Sequence, residues 1–106
     1  MNFKTTHDFD RDIKRLAKKY PSIGADIKKL KEDLTENPYM GVNIRENVFK
    51  VKMAITSKGR GKSGGARVIT CVKIVDDIIH LLTIYDKSEI DNISDAYLEE
   101  LRKLAE

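Results

Sequence analysis

The stretch Val48–Asp77, VFKVKMAITSKGRGKSGGARVITCVKIVDD, decides how the rest of the chain is read. Two alternating apolar runs, Val48–Ile55 and Ala66–Val75, flank a segment built from Gly, Lys, Arg and Ser. Alternation at a period of two marks half-buried strands, and a Gly-rich polar spacer between such runs marks a hairpin connection. Phe49, Val51 and Met53 then face a core, while Lys50 and Lys52 project together from the other face, about 7 Å apart along the strand. Charge is unevenly spread. From Gly41 to Val75 there are eight basic residues and one acidic residue, Glu46, a net of +7 against +3 for the whole chain, so the remainder carries −4. The sequence describes a cationic hairpin on a mildly acidic body.

Working outward, Asp76-Asp77 makes a tight turn into a third strand, Ile78–Tyr85, and connections this short require antiparallel pairing. Asn43–Glu46 extends the strand region toward the N-terminus, and Asn2–Thr6 suits a pleated edge. Before the hairpin, Phe9, Ile13, Leu16, Ala17 and Tyr20 recur at helical spacing, with Asp8, Asp10 and Asp12 at the positive end of the helix and Lys18 and Lys19 at the negative end. Pro21 stops that helix. Ser22 is expected to cap a second one with the apolar face Ile23, Ile27, Leu30 and Leu34, ended by Asn37-Pro38. A last helix from about Asp95 to Ala105, capped by Ser94, carries Leu98, Leu101 and Ala105. The expectation is an α+β fold: an N-terminal helical hairpin and a C-terminal helix on one face of a small antiparallel sheet of three or four strands, the other face open.

At 106 residues the chain is a single domain, residues 1–106, with one modest core. No apolar run approaches the roughly 18 residues that span a bilayer. MNFKTTHDFDRDIKRL contains no signal-peptide h-region, and the single cysteine, Cys71, cannot form an internal disulfide; both point to the cytoplasm. Cys71 lies mid-strand as a small buried hydrophobe. With His7 and His80 far apart, no metal-ligand spacing occurs, and neither metal nor cofactor is expected.

On the open face the sheet gathers Lys50, Lys52, Arg67, Tyr85 and Lys87. Singly each has a plain structural explanation, since outward lysines protect strand edges and an aromatic suits a strand end. As a set they are four cations and a phenol without a carboxylate, a surface for an anion, and nucleic acid is the commonest extended one. Lys58, Arg60 and Lys62 in the hairpin loop suit backbone anchoring. GRGKS is not a nucleotide-binding loop: that motif needs Gly where Thr56 stands, and a helix where Gly64-Gly65-Ala66-Arg67 enters a strand.

The run KVKMAITSKGRGKSGGARVI with LLTIYDKSE resembles the RelE/ParE superfamily of toxins from type II toxin–antitoxin modules, in its RelE/HigB-like branch. THDFDRDIKRLAKKYPSI is similar to the family's first helix, and the likeness covers nearly the whole chain. It implies a cognate antitoxin as partner and ribosome-dependent cleavage of mRNA, with mRNA and ribosome as further partners. By position, Lys50 and Lys52 match the lysine pair before the family's hairpin, Arg67 the arginine after it, and Lys87 a basic residue after the last strand. The tyrosine some members carry beyond that basic residue is missing here, where Ser88–Ile93 stands, so Tyr85 is the nearby phenol. Metal-independent cleavage is chemically sound, because the RNA's own 2′-hydroxyl is the nucleophile and the protein need only position, move protons and neutralise charge. The ParE-like alternative is DNA gyrase inhibition, and a non-catalytic RNA- or protein-binding module is a third reading.

Overall fold

The computed structural model describes residues 1–105. In chain order the elements are β1 (Asn2–Thr5), α1 (His7–Lys19), α2 (Ile23–Glu36), β2 (Val42–Arg45), β3 (Val48–Met53), β4 (Ala66–Lys73), β5 (Ile78–Asp86) and α3 (Asp95–Leu104), with single 3₁₀ turns at Thr56–Lys58 and Ile74–Asp76. The α+β class holds, and the sheet is larger than expected. Five strands run in the order β1-β5-β4-β3-β2. β1 pairs parallel with β5, so the sheet is mixed, and the other three pairings are antiparallel.

Local chemistry places the helices. The Thr6 hydroxyl accepts from the Phe9 N–H at 3.0 Å and donates to the Leu82 carbonyl at 2.6 Å, so one side chain caps α1 and ties it to β5. Ser94 caps α3 through the Tyr97 N–H. Ser22 does not cap α2. Its backbone is already helical, at φ −82° and ψ −5°, so the hydroxyl is not turned back on the first helical turn. It donates to Asp26 at 2.7 Å and accepts from the Ser57 N–H at 2.8 Å instead. Of the expected apolar face of α1, Phe9, Leu16 and Tyr20 are buried, whereas Ala17 is exposed. The face of α2 is buried throughout, at Ile23, Ile27, Leu30 and Leu34.

The expectation that all helices share one face of the sheet is overturned. Phe49, Val51, Met53, Val68, Val72, Ile79, Leu81 and Ile84 pack with α1 and α2. Residues on the other face, Val48, Ile69, Cys71, Leu82 and Tyr85, form a second cluster with Leu98, Leu101 and Ala105 of the α3 segment. β4 alternates between them, Ala66, Val68 and Val72 toward the first and Ile69 and Cys71 toward the second, while a bulge at Leu82 shifts the alternation of β5 opposite Ile69 and Thr70. This explains why Ala66–Val72 is buried without interruption. Two covered faces read as a continuous apolar run rather than an alternation. The strand itself ends at Lys73, because Ile74–Asp76 turns and Asp77 takes a left-handed φ of 56°.

α3 covers its face at Val48, Ile69, Leu82 and Tyr85, while Lys52 at the sheet's β3 side is exposed. Gly65 is required where the long loop re-enters the sheet: a Cβ there would stand 2.2 Å from the Met53 carbonyl oxygen. Among the described residues no helix is long and apolar enough to cross a membrane.

Candidate functional site

Strand register builds the site. Lys52 lies opposite Arg67, and Arg67 opposite Tyr85, so three expected residues form one row across β3, β4 and β5. Directly opposed residues in antiparallel strands point to the same face. Lys50, two residues along, lies opposite Ile69 and shares that face. Lys52 is exposed and Lys50 half-buried.

Arg67 sits deep in this row at 7% exposure. Its Nη1 donates to the carbonyls of Lys62 and Ala66, both at 3.2 Å, and its Nη2 to the Ser63 carbonyl at 3.1 Å. Among the described residues no carboxylate ion-pairs with it. A guanidinium has five N–H donors. Three meet carbonyls, and two remain for an anion, in the planar fork that suits a phosphate.

Tyr85 is 2% exposed and its hydroxyl, buried, has no hydrogen-bond partner among the described residues. Burial pushes the phenol's pKa up, and the Arg67 cation pulls the other way without overcoming it. In the resting protein Tyr85 is thus a neutral phenol, suited to donate a hydrogen bond rather than to take a proton. Lys87 stands just past the end of β5, its Nζ 2.7 Å from the Asp91 carbonyl and 3.8 Å from the Asp91 carboxylate.

Arg60 and Lys62 are exposed in the loop, as expected of anchors. Lys58 is not. Its Nζ lies 2.7 Å from Asp86 Oδ1 and 2.9 Å from Ser88 Oγ, 5.7 Å above the Tyr20 ring, with the side chain only 10% exposed. Its charge is already matched by a carboxylate, so it is a tie within the fold rather than a free cation.

That partner is the residue sequence reasoning missed. Asp86 is fully buried and also accepts from the Tyr20 hydroxyl at 2.6 Å and from Ser88 N and Oγ at 2.9 and 2.7 Å. Burial alone would raise its pKa, but these bonds from Lys58, Tyr20 and Ser88 outweigh it and hold the carboxyl far below the usual range. A second buried carboxylate, Asp26, receives the Thr56 N–H at 3.0 Å and the Thr56 hydroxyl at 2.5 Å. The two clamp the start of the loop. The only local hint was an Asp with Lys-Ser directly after it, in IYDKS.

Two cavities bear on the site. One of about 170 Å³ lies between α2 and the end of β3 and includes Lys52 and Lys62 in its wall. A larger one, about 600 Å³, is lined by Arg45, Cys71, Lys73 and Arg102 toward the opposite end of β3 and β4, away from the Lys52–Arg67 row. Cys71 is buried there, and desolvation pushes its thiol pKa up, so the thiolate is disfavoured and the side chain behaves as a small hydrophobe.

A family model described as the RelE toxin of the RelE/RelB toxin–antitoxin system matches residues 3–106. Among solved structures, the isolated E. coli RelE toxin is similar at a TM-score of 0.62 and 13% identity, over 97% of each chain. A double arginine-to-alanine mutant of E. coli toxin RelE in the free state is similar at a TM-score of 0.63 and 11% identity, over 96% of this chain and 94% of that one. At such identities the structural likeness speaks for the fold, and the family match for descent.

Proposed function

The chain belongs to the RelE family of toxins from toxin–antitoxin systems, which implies an antitoxin partner, and from that premise we propose that it is a metal-independent endoribonuclease cutting mRNA on the ribosome. The observation that carries this reading is the Lys52–Arg67–Tyr85 row, flanked by Lys50, in which Arg67 keeps two donors uncommitted.

The chemistry needs little more. The 2′-hydroxyl oxygen attacks the adjacent phosphorus and the bond to the 5′-oxygen breaks, leaving a 2′,3′-cyclic phosphate and a 5′-hydroxyl. The Lys50/Lys52 pair handles the two protons, the one leaving the 2′-hydroxyl and the one reaching the departing 5′-oxygen. Arg67 meets the extra negative charge of the five-coordinate phosphorus with its free fork. Tyr85, as a neutral phenol, donates to a non-bridging oxygen and gains the partner it lacks in the resting protein. Arg60 and Lys62 hold the backbone of mRNA or ribosomal RNA without reading sequence. Lys87, turned toward Asp91, adds long-range positive potential.

Brief induction followed by parallel measurement of mRNA decay and plasmid supercoiling tests the proposal. Rapid mRNA loss with unchanged supercoiling supports it. Stable mRNA with altered supercoiling transfers the chain to gyrase inhibition.

A further inference from the structure

Two cavities share a wall at the other end of the sheet from the Lys52–Arg67–Tyr85 row. The larger, about 600 Å³, lies on the α3 face and is lined by Arg45, Lys73 and Arg102. The second, about 220 Å³, is lined by Tyr39, Ile74 and Val75. Asn47 and Lys73 belong to both. Val48 and Lys52 are four residues apart on β3, about 14 Å, so this end is a separate place from the row.

Two carboxylates also line the larger cavity. Glu99 is taken up by Arg102, at 2.6 Å, and Glu46 is exposed on the turn between β2 and β3. The ion pair of Arg45 is loose: its guanidinium stands 3.7 Å from the almost fully exposed Asp95 carboxylate, beyond hydrogen-bond distance. Lys73 is half-buried and forms no ion pair among the described residues. Two cations of this wall therefore lack a hydrogen-bonded anion.

The second cavity has a different character. Val75 is fully exposed, and Tyr39 and Ile74 are about half exposed. The Tyr39 ring is braced by Phe49, at 5.7 Å between centroids and 62° between planes. Single exposed apolar residues are ordinary, but three around one cavity form a patch. Its one carboxylate, Asp76, is exposed to solvent.

We infer that this end of the molecule is a second RNA contact, which takes one unpaired nucleotide with its phosphate among Arg45, Lys73 and Arg102 and its base on Tyr39, Ile74 and Val75. The inference rests on the endoribonuclease reading only for the choice of RNA as the polyanion. A nucleotide is an anion and a flat π-surface joined by a sugar, and the two cavities that meet at Asn47 and Lys73 offer the matching pair. Phosphate contacts position a strand, and an aromatic ring holds an unpaired base of any sequence by stacking. One contact leaves the protein free to rotate on its RNA, whereas a second, separated contact fixes its orientation.

Amide NMR titration of the intact protein tests this with a 2′-fluoro RNA tetramer, which lacks the nucleophile and stays whole, and with the same strand lacking its bases. The tetramer should shift the amides of Asn47, Lys73, Tyr39 and Val75. The abasic strand should bind about tenfold more weakly and shift Asn47 and Lys73 alone. Lys73→Gln should lower the log–log salt slope of binding at this end by about 0.7. Tyr39→Leu, which keeps an apolar side chain against Phe49, and Val75→Asp, at a fully exposed position, should each erase the margin over the abasic strand. Lys52→Gln should leave the shifts at this end unchanged.

Shifts confined to Lys52, Arg67 and the loop, or equal affinity for the two strands, overturn the contact. So does a cognate antitoxin that shifts Tyr39 and Val75 where RNA does not, since the patch is then a protein interface. Cleavage on programmed ribosomes is scored separately. RNA bound here without any cut product overturns the nuclease reading and leaves this contact standing. Full cutting by a protein whose Tyr39 and Lys73 never respond to RNA does the reverse.

Discussion

Asp86 shows how much one carboxylate can hold. Fully buried and hydrogen-bonded by Lys58, Tyr20 and Ser88, it joins the end of β5 to the 3₁₀ turn at Thr56–Lys58 and to the C-terminus of α1. Removing one partner of a buried pair typically costs about 3–5 kcal/mol, because the other charge is left uncompensated. Asp86→Asn should lower stability by that order in urea melts. The sign with pH follows from the depressed pKa of the folded state. The contribution is complete above the unfolded carboxylate pKa, about 3.9, and fades as pH falls through the lower folded value. The gap between wild type and Asp86→Asn should therefore be constant from pH 7 to about pH 5 and narrow in stronger acid. A gap that widened toward acid would contradict the assignment.

Arg67 carries two roles at the same scale, and variants separate them. Arg67→Ala removes both the loop bracing and the phosphate fork, so it should melt early and also cut about 10²–10³ more slowly per folded molecule. Arg67→Lys keeps a cation without the fork and should recover little of that rate, since bidentate contact is what lysine lacks. Single-turnover cleavage beside a thermal melt reads both. Early melting with a wild-type rate would leave Arg67 a brace alone. Tyr85→Phe removes a buried hydroxyl that has no partner among the described residues, so the melting temperature should hold or rise. Any loss of cleavage would then report the phenol's contact with substrate.

Among the elements, the loop between β3 and β4 governs the site, and it is far less free than its Gly, Ser and Lys content suggests. Asp26 and Asp86 clamp its start, Arg67 holds the carbonyls of Lys62 and Ser63, and the Lys87 N–H bonds the Gly65 carbonyl at 3.0 Å. Only its outer side chains are available for a polyanion. Replacing Arg60 and Lys62 together with Gln should leave the melting temperature unchanged. It should also flatten the salt dependence of RNA binding by about 0.7 in log–log slope for each phosphate no longer neutralised. Adding Lys58→Gln should lower the melting temperature as well, because that lysine belongs to the Asp86 clamp. If Lys58→Gln weakened RNA binding with no change in melting, Lys58 would be an anchor after all.

Across the whole molecule, the sheet divides two cores, and the smaller one depends on α3. Leu101 is 1% exposed and packs with Val48, Ile69, Leu82 and Tyr85. Leu101→Ala should cost about 2–5 kcal/mol. By loosening the support under Tyr85, it should also reduce cleavage more than a surface change such as Glu100→Ala. The Tyr97 hydroxyl reaches the Asp8 carboxylate, so α3 is fastened to α1 as well as to the sheet. Positive charge is concentrated between Gly41 and Val75 on a body of net −4, which gives this segment a pull on a polyanion.

Sequence alone determined what depends on near neighbours. The period-two pattern of Phe49, Val51 and Met53, the helical spacing of Ile23, Ile27, Leu30 and Leu34, and the Ser94 cap are local, since backbone geometry repeats them within a few residues. The resemblance of the hairpin and IYDKSE to a toxin family pointed to the same α+β class. Only the tertiary structure decided what depends on distant partners: that α3 takes the face left open by α1 and α2, that β1 adds a parallel edge, and that Lys58 is matched by Asp86, 28 residues away. A pattern records that a position is buried or charged, but not the residue that meets it there. That partner is set by strand register, and the bulge at Leu82, which shifts the inward side chains of β5 opposite Ile69 and Thr70, is fixed by pairing with β4.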